Sequence, residues 1–397
     1  MSILGGILFE CSKMKNILVL GTGTQGLVLV RLIHECGYRV VMIANDRGNY
    51  ADVSRYVDQV YYCIEKGEDE KLVFIHEVID KEKVCAIIPT GDENAEFLCK
   101  HQDVLLTKVR FELPTFKNFL RGYDKNQLMD LCKQNGYPHP YTIDLSVTEI
   151  TSNEVRDFPY PGMLKPNCTT GGRGMVEIKT YSELLERYPD LHKEYGEYHL
   201  QKFIKPGGRQ LKVQLYIDKH KTILAHSVQQ KLRWYPNKGG SNTCAVSVEN
   251  NNLVNLCSQI LRDIDWVGFA DFDFIEDPDT GGLLVMEINP RLPACIKGSI
   301  VAGINWGEII VNDYLGLPQK KYEYKTGVYL RHIGLDFLWF LNADNKWTAK
   351  PNWFKLFGPN IYYQDASSWT DPLPFIIGTW NNIKKIFNPQ FRKSKQG

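Results

Sequence analysis

Asp271-Phe-Asp-Phe-Ile-Glu-Asp-Pro-Asp-Thr-Gly-Gly-Leu-Leu-Val-Met-Glu-Ile-Asn-Pro-Arg291 contains two strand-like runs on either side of a turn rich in Asp, Pro and Gly. If the turn centres near Thr280, Asp273 lies opposite Glu287 and Asp271 opposite Asn289. Alternation with period two then gathers these four polar side chains on one face. Phe272, Phe274, Val285, Met286 and Ile288 fall mostly elsewhere. Hard oxygen donors on one face suit Mg²⁺, which is held by few carboxylates together with substrate phosphates. Without a cation, carboxylates placed directly across a strand pair repel. A solvated acidic hairpin is the plainer alternative, and the apolar surroundings count against it.

Upstream, Tyr123 to Cys132 has helical spacing, with Leu128 and Leu131 on one side and Lys125 near its start. Gly162-Met-Leu-Lys-Pro166 reads as a strand carrying Lys165, and Val176 to Lys179 as another. Between them, Asn167-Cys-Thr-Thr-Gly-Gly-Arg-Gly-Met175 is a loop whose glycines let backbone N–H groups approach phosphate oxygens, with Arg173 adding charge. It is not a P-loop, because no Gly-Lys-Ser/Thr follows; a plain hairpin turn is the alternative. His199-Leu-Gln-Lys-Phe-Ile204 runs into Lys205-Pro-Gly-Gly208, a strand end that can offer backbone groups to an adenine edge. Leu211 to Ile217 then alternates as another strand.

At the front, the strand Ile17 to Leu20, the turn Gly21-Thr-Gly-Thr-Gln-Gly26, a helix from Leu27 to Cys36 and a strand from Tyr38 to Ala44 form a βαβ unit. The turn permits a dinucleotide reading, with Asp46 near the second strand's end, but such turns also serve packing alone. Val84 to Pro89 adds a strand, so a small doubly wound sheet spans about residues 15–110. The chain's 397 residues suit two or three domains, at about 150 residues each. Its 47 basic and 46 acidic residues leave a net charge of +1, which argues against a surface given over to nucleic acid. The ten cysteines include no C-x-x-C pair and several lie in apolar runs, as expected of reduced core thiols in a cytoplasmic protein. No stretch approaches the ~18 apolar residues of a spanning helix, and residues 1–14 read as an extension ahead of a second start at Met14 rather than a leader.

Taken in order, Lys125, Lys165, Gly171-Gly-Arg-Gly-Met175, Gln201-Lys-Phe-Ile204, Asp273 and Glu287-x-Asn289-x-Arg291 resemble the ATP-grasp superfamily. Within it, the branch of the carbamoyl-phosphate synthase large chain and biotin carboxylase is the most similar, over roughly residues 15–318. The resemblance implies an α/β, in part α+β, architecture. A Rossmann-like pre-ATP-grasp domain at 15–110 precedes an ATP-grasp domain at 111–318, which has a small lid at about 145–205. It also implies ATP with Mg²⁺, or Mn²⁺ in its place. Lys125 and Lys165 would touch ATP phosphates, and Gly171, Gly172, Arg173, Gly174 and Met175 would cover them. Gln201, Lys202, Phe203 and Ile204 would hold the adenine. Asp273, Glu287 and Asn289 would hold the metal, and Arg291 would orient the acid being phosphorylated. The implied reaction joins a small-molecule carboxylate to an amine through an acyl phosphate.

The chain departs from the family in several places. Leu292 to Lys297 lacks the acid that biotin carboxylases carry after the motif's Arg; Lys297 looks more like the synthase branch and is a second catalytic candidate. Gln201 replaces a common Glu, and Gly207-Gly-Arg-Gln210 offers no acid for ribose. An ATP-binding scaffold without ligase activity and a nicotinamide enzyme are the competing readings. Residues 319–397, outside the resemblance, hold five of the eight tryptophans, and after Asp371 five Lys/Arg and no acid. That aromatic stretch is expected to pack on the core, to form a homodimer interface or to touch an anionic membrane.

Overall fold

The structure is a computed structural model that describes residues 15–64, 67–167, 174–237, 240–364 and 368–387. Four strands open the chain: β1 (Asn16–Leu20), β2 (Arg39–Ala44), β3 (Gln59–Tyr62) and β4 (Val84–Pro89). They pair in parallel in the order β3-β2-β1-β4. β1, β2 and β4 are near-continuous apolar runs because helices cover both faces of a parallel sheet. The turn after β1 needs Gly21, whose φ is +107° and where a Cβ would sit 2.4 Å from Thr90 Oγ1.

The second sheet is formed by β5 (Thr142–Asp144), β6 (Gly162–Pro166), β7 (Val176–Ile178) and β8 (Tyr198–Lys202), antiparallel in the order β5-β8-β6-β7. It has its own small core, centred on Ile143, Leu164, Tyr198 and Leu200. The third sheet is the largest. Its strands are β9 (Gln210–Ile217), β10 (Ile223–Tyr235), β11 (Ser241–Ser247), β12 (Gly268–Glu276), β13 (Leu283–Asn289), β14 (Tyr329–Arg331) and β15 (Ile361–Tyr363). Their order is β13-β12-β9-β10-β11-β14-β15. The first and third sheets share one hydrophobic core, so the smaller second sheet is the separately packed piece.

The region after residue 318 is woven into this frame. β14 extends the large sheet antiparallel to β11, and β15 pairs in parallel with β14. Beneath the helix Ile333–Asn342, buried Asp336 accepts hydrogen bonds from Arg331 Nη2 (2.6 Å) and Arg233 Nη2 (3.1 Å). Asp371, 1% exposed, reaches back to the first sheet's layer. It accepts from Arg31 Nη2 at 3.0 Å, Ser54 Oγ at 2.7 Å and the Arg55 amide at 3.0 Å. Core packing of the aromatics is only partial: Trp339 is buried, while Trp347, Trp369 and Trp380 are exposed.

Candidate active site

The hairpin forms in the register expected from its turn, with Asp273 opposite Glu287 and Asp271 opposite Asn289. A bulge follows Asp273, so that Phe274 pairs with Val285. Phe272, Phe274, Val285 and Ile288 are buried, and Met286 is half-buried. The acids of the turn are tied off separately. Lys202 lies 3.6 Å from Asp277, Lys205 2.8 Å from Asp279 and Arg209 2.8 Å from Glu276.

β9 lies between β12 and β10 and brings cations to this face. Lys212 is directly opposite Asp273 in register, and its ammonium stands 2.6 Å from Asp273 Oδ2 and 2.7 Å from Asp271 Oδ2. Lys231 of β10 stands 2.8 Å from Asp273 Oδ1. Burial raises the Asp273 carboxyl, but the two lysines overcome this and hold it well below the usual carboxylate range. Asp271 is pushed up instead, because it is fully buried and Lys212 offsets only part of that. Its Oδ1 has no hydrogen-bond partner. Cys295 lies within the field of these charges, but burial lifts its thiol to about 11, so it is no nucleophile.

Glu287 is the open end of the cluster, its side chain 38% exposed. Lys125, which opens the helix Lys125–Asn135 behind the Asp124 N-cap, comes within 3.9 Å of it. Lys165, on the inner face of β6, donates to Gln201 Oε1 at 2.5 Å and lies in the field of both Glu287 and Lys125. Burial lowers its ammonium to about 8; Glu287 opposes this and Lys125 adds to it. The two lysines and the metal-type hairpin therefore converge from three separate elements. Asn289 spans the hairpin, its amide 3.4 Å from Asp273 Oδ2 and 3.5 Å from Glu287 Oε1.

Other expected residues are placed less directly. Arg291 lies just past β13, and its Nε is 3.0 Å from Oδ1 of Asp92, the first residue of the helix Asp92–Lys100. Lys297 opens the helix Lys297–Val301, after the turn that follows the hairpin. The Gln201 side chain points inward, to Lys165 and to Thr142 Oγ1 at 3.1 Å, so it is not aimed outward at a base. The Lys202 and Phe203 amides donate to the carbonyls of Tyr141 and Pro161; Ile204 follows the strand's end. Gly174 (φ +72°) accepts the Tyr198 hydroxyl on its carbonyl, and a Cβ there would meet Pro166, Tyr195 and Tyr198 within 3 Å. Met175 is half-buried. Gly171, Gly172 and Arg173 lie outside the described residues.

Sequence reading missed Lys212, Lys231, Asp92 and His199. His199 is buried, its Nδ1 3.0 Å from Asn167 Oδ1, and burial and Lys165 hold it well below its ordinary value. One signal was available: a lysine in the otherwise apolar run Leu211 to Ile217 faces inward with Gln214. Beside the site, a cavity of about 610 Å³ is lined by the Gly21 turn, by Asp92, Glu93 and Glu96, and by Tyr123 and Tyr195.

Residues 123–295 match the ATP-grasp domain family model. The chain is 24% identical over 308 residues to the carbamoyl phosphate synthase large chain of Campylobacter jejuni, covering 71% of this chain and 27% of that protein. It is 22% identical over 284 residues to the D-aspartate ligase of Enterococcus faecium, covering 66% of this chain and 68% of that one. Biotin carboxylase from Campylobacter jejuni has the same fold over 80% of this chain and 74% of its own, with a TM-score of 0.66 and 19% identity. The chain thus spans about a quarter of the synthase's length. Residues 123–295 thus match an ATP-grasp domain, and the chain is similar to the carbamoyl phosphate synthase large chain and, in fold, to biotin carboxylase.

Proposed function

We propose that this chain is an ATP- and Mg²⁺-dependent ligase that activates a small-molecule carboxylate as an acyl phosphate and transfers the acyl group to an amine. The observation that carries the reading is the convergence of Lys125 and Lys165 on Glu287 at the open end of a hairpin that also bears Asn289. Two ammoniums beside oxygen donors form a cradle for a polyphosphate and its cation.

A hard divalent cation fits the donor set. Glu287 is accessible, Asn289 lies beside it, and the buried Asp271 Oδ1 lacks a donor. Asp273 joins the set where Lys231 yields one of its oxygens. When bound, the cation would neutralise phosphate charge.

The chain's own residues do the rest. Lys125 and Lys165 hold the phosphates, and Arg291 neutralises the carboxylate as its oxygen attacks the γ-phosphorus and ADP leaves. The amine nitrogen then attacks the acyl carbon, inorganic phosphate departs, and the nitrogen gives up a proton. The cavity beside Asp92 suits the amine through Glu93, an exposed acid in its lining, since Arg291 already compensates Asp92 and Lys100 compensates Glu96. Packing is the better account of Gly21-x-Gly23-x-x-Gly26 than a dinucleotide, because Gly21 abuts Thr90 and Asn94 and Gly26 abuts Ala51.

The test is ADP and phosphate release with amino acids, sugar acids and amine acceptors in pairwise combination. ADP formation that requires both a carboxylate and an amine, with a raised amine KM in Glu93→Gln, is expected. Tight Mg·ATP binding with no turnover for any pair would favour the inactive-scaffold alternative.

A further inference from the structure

The region after residue 332 leaves unusual surface uncovered. Fourteen of the 23 large apolar side chains exposed among the described residues lie between Ile333 and Trp380. They form faces rather than scattered points. On the helix Ile333–Asn342, Ile333, Phe337 and Leu341 recur every four residues at 57, 49 and 54% exposure. The helix is pinned from its other sides by buried Trp339 and by Asp336 on its two arginines. Phe340 and Trp353, stacked at 4.4 Å, continue this face to exposed Trp347 and Phe354.

The helix Leu373–Phe387 repeats the pattern. Its inner side is fixed where Gly378 abuts the Tyr50 ring and where Asn381 Nδ2 donates to Gly48 O at 2.9 Å. Its outer side presents Leu373, Ile376 and Trp380, three and four residues apart, and then exposed Lys384. A surface this apolar on helices already anchored from behind has an interaction role.

Charge identifies the occupant. Residues 333–397 hold eight Lys/Arg and four Asp, a balance of +4, while the residues before them total −3. Two of the four acids, Asp336 and Asp371, are buried against arginines. A second copy of this chain seated face to face would set like charges against each other. Among the described residues no helix is long and apolar enough to cross a membrane. Trp, Phe and Leu on the outer face with lysines beside them is the composition of a surface that lies in the headgroup layer.

We propose that the C-terminal region is a peripheral docking surface for an anionic lipid bilayer, seated through Ile376 and Trp380 and through Phe337 and Leu341, with its lysines on the headgroups. Nothing in this depends on the ligase reading. The test is co-sedimentation of the full chain with vesicles of phosphatidylcholine alone or with about a third phosphatidylglycerol. Expected are an affinity roughly tenfold or more higher for the anionic vesicles, a blue shift of tryptophan emission, and release by 0.5 M salt. The double variant Ile376→Glu/Trp380→Glu should lose vesicle binding while keeping its melting temperature; Phe337→Glu/Leu341→Glu is the independent second case. No binding to anionic vesicles at millimolar lipid would overturn the proposal. So would a wild-type dimer in sedimentation equilibrium that the same variants dissociate, if vesicle binding is absent.

Discussion

Lys165 offers the sharpest test of the nucleotide site, because its proton should move when phosphate arrives. The free side chain sits near 8, held down by burial, with Glu287 opposing and Lys125 adding to the shift. A polyanion beside it would restore the charged form and raise its pKa by several units. At pH 7 the apo lysine is already about 90% protonated, so nucleotide should take up about 0.1 proton. At pH 8.5 only about a quarter is protonated, and uptake should reach about 0.7. The affinity should fall about fourfold between those pH values for the same reason. Calorimetric titration of a non-hydrolysable Mg·ATP analogue, in two buffers of different ionisation enthalpy, measures the proton count directly. Lys165→Met should abolish the uptake and weaken binding. Stability supplies a second readout of the same group. A lysine depressed in the folded state binds fewer protons than in the unfolded chain, so apo stability rises with pH between 8 and about 10.5. The full penalty, about 3 kcal/mol, stands below pH 8. Uptake below about 0.2 proton at pH 8.5, or unchanged uptake in Lys165→Met, would refute the placement.

Three further outcomes follow from the same geometry. Lys212→Met strips the ammonium shared by Asp271 and Asp273 and should cost about 3–5 kcal/mol in denaturant unfolding, partly recovered by adding Asp271→Asn; a loss under about 1 kcal/mol would dissolve the network. Glu287→Gln should weaken Mg²⁺-dependent nucleotide binding, whereas Arg291→Ala should leave it nearly intact and cut turnover by roughly a hundredfold or more, as binding and single-turnover measurements would separate. Asp371→Ala removes the acceptor of Arg31, Ser54 and the Arg55 amide; it should cost about 2–4 kcal/mol and open the chain to limited proteolysis near residue 370.

The features legible in the sequence were those that depend on local period and turn chemistry. The pairing of Asp273 with Glu287 follows from counting outward from Thr280, and the parallel front sheet from uninterrupted apolar strands. The bulge after Asp273 leaves no composition signal, since Phe274 and Val285 suit either register. Lys212 and Lys231 were hidden for a different reason. Their meeting with Asp273 depends on β9 lying beside β12 and β10 beside β9, a strand order set by packing over 40 to 60 residues of chain. The turn of the Arg291 guanidinium to Asp92 of the first layer carries no local signal either, because it depends on where the chain goes once β13 has ended at Asn289. Burial of the Gln201 amide likewise depends on Lys165 standing on the neighbouring strand β6.

The distribution of charge along the hairpin has a physical logic. Four polar side chains on one face, three of them carboxylates, would repel in a low-dielectric layer unless compensated. The chain compensates them unevenly. The buried end, Asp271 and Asp273, receives two ammoniums within 2.8 Å. The open end, Glu287, has Lys125 no nearer than 3.9 Å and lies in the field of Lys165. On the proposed site a cation would find Glu287 and Asn289 open to it, while Asp273 is held by Lys231, whose side chain is 17% exposed, and by Lys212 at 10%. The carboxylate left accessible in this arrangement is the one beside Lys125 and Lys165, the two lysines proposed above to face phosphate.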